Sequence, residues 1–222
     1  MPQGPPKYNR MDMPMISVRG FATILLAATL AFVPGQSSVA ETIVHKRTTY
    51  FSIGGMTAEE LDHELSRRGP ITQSTGSRHP GATRIKFDGE LTYVEKGGRC
   101  RIGKAKVVVD THLILPRWKN RRKANRELGM VWDALSSDIK RHEERHAEIA
   151  RQHARRLEKN LKALPAMRSC ERLQERVQDL SDRAIEVHDA DQLRFDRVES
   201  INFERRLVRI LENRLERSKK NN

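Results

Sequence analysis

From Thr83 the chain alternates apolar and polar positions imperfectly with period two, and near Ala124 it changes to mixed three- and four-residue spacing. Thr42 to Ile53, rich in Thr, Val, Tyr and Phe and stopped by Gly54-Gly55, predicts a strand and a turn. Thr57-Ala58-Glu59-Glu60 reads as a capping box, with Leu61 and Leu65 on one stripe and Gly69-Pro70 ending a short helix. A loop from Ser74 to Gly81 follows. Thr83 to Glu95 then alternates around Ile85, Phe87, Leu91 and Tyr93, and Arg101 to Leu115 around Ile102, Val107, Val109 and Leu113. With Lys96-Gly97-Gly98 between them, the two runs predict a β-hairpin. Pro116 closes the second strand, and Trp118 is placed as an anchor between sheet and helices.

Two long helices are expected beyond this, over residues 124–163 and 171–217. In the first, Ala134, Leu135, Ile139, Ala150, Leu157 and Leu161 keep helical spacing, and neither Gly nor Pro interrupts Val131 to Leu164. In the second, Leu173, Val177, Ala184, Val187, Val198 and Ile201 are read as part of a single inward stripe. Only Leu164-Pro165-Ala166 separates the helices, so an antiparallel helical hairpin follows. The fold class is α+β: a small antiparallel sheet with a short helix, packed against a long antiparallel helical hairpin.

Residues 1–40 have the parts of a secretory signal peptide. Lys7, Arg10 and Arg19 precede the apolar run Phe21 to Val33, and Ser38-Val39-Ala40 offers small residues for cleavage before Glu41. The run falls short of the roughly 20 apolar residues of a spanning helix. The expectation is a secreted or periplasmic protein, with no stable membrane anchor after signal removal. Its one domain would cover 41–222, as a sheet region at 41–118 and a hairpin at 124–217. Removing the leader takes away three basic residues and one acidic one, so the formal charge falls from +13 to +11. Basic and acidic residues alternate along the helices without aromatic interleaving, so specific nucleic-acid binding is not expected. Cys100 and Cys170 are the only cysteines, and an oxidising compartment would join them as a disulfide.

The chemistry is concentrated in His142-Glu143-Glu144-Arg145-His146, an H-E-x-x-H sequence inside the first long helix. Two histidines four apart lie on one helical face, where both can ligate Zn²⁺, while Glu143 serves as general base toward a water activated by the metal. Catalytic zinc takes three protein ligands and leaves one position open. His153 lies on nearly the same face as His146, but about 10 Å along the axis at 1.5 Å per residue. Ile149 and Gln152 stand where a metzincin has Gly and His, which excludes that class. Taking the hairpin's centre between Pro165 and Met167, the motif faces a window near 184–192. His188 is the first choice as third ligand, with Asp191 and Asp196 as alternatives. His45, His63, His79 and His112 show no ligand spacing.

The landmarks Tyr50-Phe51-Ser52-Ile53-Gly54-Gly55, Gly69-Pro70, Cys100, Leu115-Pro116-Arg117-Trp118, Trp132 and His142 to His146 resemble, in this order, the bacterial secreted zinc-dependent protease family known as domain of unknown function 922. Phe195-Asp196 resembles the family's Tyr-Asp segment, while Ile201-Asn202 stands where a His-Gly would fall. The resemblance covers most of the mature chain and implies zinc and peptidase activity, with His142 and His146 as ligands and Glu143 as base. The expected function is therefore an exported zinc metallopeptidase acting on protein or peptide substrates, those of the cell envelope among the candidates. The alternative is a non-catalytic envelope protein that uses its helical hairpin for interaction, with structural zinc or none.

Overall fold

Gly97 and Gly98 both take positive φ, 61° and 68°, a pair that favours glycine at each position and reverses the chain in a two-residue turn. That turn joins β2 (Ala82–Lys96) to β3 (Arg99–Trp118) in an antiparallel ladder running from Lys96↔Arg99 to Ala82↔Ile114, with one irregularity at Thr92/Tyr93. The computed structural model describes residues 42–72 and 76–220, so the expected leader lies outside the described residues. The remaining elements are β1 (Ile43–Ile53), α1 (Ala58–Arg68), a 3-10 turn at Arg121–Lys123, α2 (Arg126–Lys162) and α3 (Cys170–Lys220). The fold is α+β, as the sequence predicts.

The sheet is mixed rather than wholly antiparallel. Its order is β1-β3-β2, and β1 lies parallel to β3 from Ile43↔Val108 to Ile53↔Trp118. The cause is the path between them. After Gly55, α1 and the following loop bring the chain to the far side of β3, where β2 runs back. The hairpin turn then sends β3 in the direction of β1.

Along β3, Ala105, Val107, Val109, Thr111, Leu113 and Leu115 are buried at alternate positions, the period-two signature of one covered face. Helix α2 lies on that face: Val107, Val109 and Phe87 pack with Ala150, Ala154, Leu157 and Leu161, and Val177 of α3 joins them. Burying each leucine is worth roughly 1.5–3 kcal/mol. At the other end Trp118 and Trp132 pack with Ile53, Leu61 and Leu65, and Trp118 Nε1 donates to the Gly55 carbonyl at 3.0 Å. Trp118 thus anchors the sheet to both α1 and α2.

The hairpin's closed end is fastened twice. Cys100 and Cys170 form a disulfide, and Cys100 and Met167 exchange two backbone hydrogen bonds of 2.8 Å. Toward the open end, Asp138 of α2 accepts from Arg206 of α3 at 2.8 and 3.1 Å and from Arg141 at 2.9 Å. The inward stripe of α3 is narrower than its spacing suggests: Leu173, Val177, Ser181 and His188 are buried, whereas Val187, Val198 and Ile201 are half or more exposed. Over 51 residues at 3.6 per turn, apolar positions spaced by seven drift around the axis and leave the contact face.

Candidate metal centre

Helix α2 begins where Asn125 Oδ1 accepts the Leu128 N–H at 2.8 Å, and it runs unbroken through the motif. Residues 142 and 146 therefore sit one turn apart, with Nε2 of His142 and Nε2 of His146 3.0 Å from each other. Across the hairpin, Asp196 Oδ1 lies 3.3 Å from the first and 2.9 Å from the second. These three residues are the group whose donor atoms converge as metal ligands do among the described residues. Tetrahedral zinc with bonds of about 2.0–2.1 Å separates its ligand atoms by about 3.3 Å, so the triangle is close to one face of that tetrahedron. Two imidazoles and a carboxylate are also the donor types zinc accepts, and the site fits the ion.

The outward nitrogens are held from α3 as well. Gln192 Nε2 donates to the His146 carbonyl at 3.1 Å, which fixes the amide orientation and leaves Oε1 to accept the His146 Nδ1 proton at 2.5 Å. His146 Nε2 is thereby the free donor. Glu199 Oε2 stands 3.7 Å from His142 Nδ1 and is itself paired with Arg141 and with Arg206 at 3.2 Å. Phe195 packs its ring against both imidazoles, at 4.9 and 5.0 Å between centroids. Gln192, Phe195, Asp196 and Glu199 recur at three- and four-residue spacing, so one face of α3 serves the site.

Glu143 lies between the triangle and the start of β2, close enough to His146, His142 and Asp196 to feel their charges, and is 5% exposed. Thr83 Oγ1 lies 2.8 Å from its Oε2 and 2.9 Å from its carbonyl. Gly81 presses on the same carboxyl: a Cβ there would stand 2.9 Å from Glu143 Oε1 and 2.8 Å from Ile139 Cγ2. Burial pushes the Glu143 carboxyl above its ordinary value, and Asp196 adds to this. His146, Thr83 and His142 oppose the shift without reversing it. For His146, burial lowers the imidazole, but Asp196 and Gln192 more than offset it, so its value is raised. Burial raises Asp196, yet His142 and His146 hold its carboxyl well below the usual range. Asp196 has 45% of its side chain exposed, against 27% for His142 and 13% for His146, so the three-donor face opens to solvent on the Asp196 side.

The structure brings His142, His146 and Asp196 together, with Glu143 alongside, and does not bring His188 into the group. His188 is buried one layer away: Nδ1 faces Asp189 Oδ1 at 2.9 Å, Nε2 meets Gln192 Nε2 at 2.9 Å, and the ring packs edge-on against Phe87. Asp191 pairs instead with His153 Nε2 at 2.9 Å. The expected facing window fails because residues 163–169 are not helical but run beside β3, where Met167 pairs with Cys100. That displaces the hairpin's centre toward residue 170, so the motif faces residues 192–199. Thr83, Gly81, Gln192 and Glu199 were not singled out from sequence. The three- and four-residue recurrence of polar groups opposite the motif was the available signal for the last two.

A family model described as a bacterial protein of unknown function (DUF922) matches residues 48–203, a span that includes β2, the motif and Asp196. No curated protein and no solved structure matches the chain.

Proposed function

The chain belongs to this family of bacterial proteins of unknown function, and we propose that it is an exported zinc-dependent metallopeptidase acting on a protein or peptide of the cell envelope. One observation carries the reading: three donor atoms converge at 2.9–3.3 Å with no fourth protein ligand beside them among the described residues, and a buried carboxyl lies next in sequence to the first of them. A closed four-ligand site would indicate structural zinc, whereas three ligands with an open position suit hydrolysis.

His142, His146 and Asp196 would hold the ion, and Gln192 and Glu199 would keep the imidazoles turned toward it. Zinc, when bound, supplies a Lewis acid that polarises a carbonyl and brings the pKa of a water to about 7. Glu143 takes the proton of the attacking water and returns it to the leaving amine, a role suited to a carboxyl whose proton affinity burial has increased. Thr83, donating to Oε2, holds that carboxyl in place. One feature supports the export reading, the Cys100–Cys170 disulfide, which an oxidising compartment preserves.

The test is elemental analysis of purified residues 41–222 beside a peptide-hydrolysis assay. About one zinc per chain, with hydrolysis lost in Glu143→Gln while zinc is retained, is the expected result. Wild-type chain that takes up no zinc on supplementation overturns the reading.

A further inference from the structure

The face of the sheet turned away from the helices carries a row of three basic residues in register across all three strands. Arg47 of β1 pairs with His112 of β3, and His112 with Arg84 of β2. Three other basic residues on this face lie beside carboxylates: His45 beside Asp110 at 2.8 Å, Lys86 beside Asp88 at 3.3 Å, and Lys106 beside Glu90 at 3.8 Å. Arg47 and Arg84 have no carboxylate or hydrogen-bond partner among the described residues. Between them His112 Nε2 meets Thr49 Oγ1 at 2.7 Å, and its Nδ1 is shut off from solvent without a partner among the described residues. Burial first, then the charges of Arg47 and Arg84, hold the His112 imidazole below its ordinary value, and the strand pairing sets one arginine on each side of the histidine.

The outer strands lie roughly 9–10 Å apart, twice the strand spacing, a gap that two arginine side chains can close over the central strand. A guanidinium fork engages two oxygens at once. A carboxylate has only two and satisfies one fork, whereas a tetrahedral oxyanion has four and can satisfy both. We propose that Arg47 and Arg84, flanking His112 on the open face of the sheet, bind a tetrahedral oxyanion of the phosphate class. This site is separate from the metal centre, which lies on the helix-covered side of the sheet, and it stands whether or not the chain is a peptidase.

Inorganic phosphate titrated into the full mature chain, followed through the His112 ring signals by NMR at constant ionic strength, tests the proposal. A saturable shift is expected, with acetate at least tenfold weaker. Arg47→Gln and Arg84→Gln should each weaken the phosphate response about tenfold or more, while Lys86→Gln on the adjacent row should change it less than twofold. A response to phosphate no different from that to chloride, or one that persists unchanged in both arginine variants, overturns the proposal.

Discussion

Asp196 Oδ1 stands 2.9 Å from Nε2 of His146, the two residues carried by opposite arms of a helical hairpin. The site therefore exists only when α2 and α3 are packed in register, and its ligand set can be tested residue by residue.

Asp196→Ala should lower zinc affinity by at least a hundredfold, whereas His188→Ala should lower it tenfold or less, because His188 touches Gln192 rather than the donor triangle. Competition with a chromogenic chelator measures both. Equal losses would place His188 among the ligands after all.

Gln192→Leu removes the acceptor of the His146 Nδ1 proton, and an outer partner of this kind is worth 10- to 100-fold in metal affinity. The d–d spectrum of the Co²⁺-loaded variant should change as well, because His146 loses its fixed orientation. An unchanged spectrum and affinity would show that Gln192 is a bystander.

Thr83→Val removes a hydrogen bond that lowers the Glu143 pKa. With the remaining balance favouring the protonated form, the base should become available only at higher pH. The acidic limb of the kcat/KM profile on a peptide substrate should shift to higher pH relative to wild type. A shift to lower pH would contradict the environment described for Glu143.

Asp138 is buried, and burial would raise its pKa, but hydrogen bonds from Arg206 and Arg141 win and hold it lowered. Its contribution to stability is thus complete above the unfolded carboxylate value of about 3.9 and is lost as pH falls through the lower folded value. Asp138→Asn should cost about 3 kcal/mol at neutral pH by leaving Arg206 with one carboxylate instead of two. It should also flatten the acid side of a urea-denaturation stability profile. A profile identical in shape to wild type would remove Asp138 from the account.

Serine at both Cys100 and Cys170 should lower stability by up to about 4 kcal/mol, since the bridge spans 70 residues. Chemical denaturation with and without reductant checks this. The double variant should lose its reductant dependence entirely.

How far the sequence could be read is clear from particular residues. H-E-x-x-H spacing is a local property of a helix, so His142, Glu143 and His146 were legible, as were the two-glycine turn, the Thr57 cap and the cysteine pair. Asp196 remained one of three options, because its position opposite the motif depends on where the hairpin turns. Residues 163–169 turn it late by running beside β3. The parallel β1–β3 pairing is likewise nonlocal: nothing within Thr42 to Ile53 specifies which side of β3 it will join. Thr83 and Gly81 came from a third place, the leading end of β2, and only the packed sheet brings them to Glu143.

The bridge between Cys100 and Cys170 encloses the whole of α2, while Asp196 lies outside the loop it closes. A single backbone cut anywhere between those cysteines, including one in the connector after Lys162, yields two fragments that remain one covalent molecule. A nicked chain can therefore keep both arms of its site together until a reductant reaches it, and on a gel the break shows only under reducing conditions.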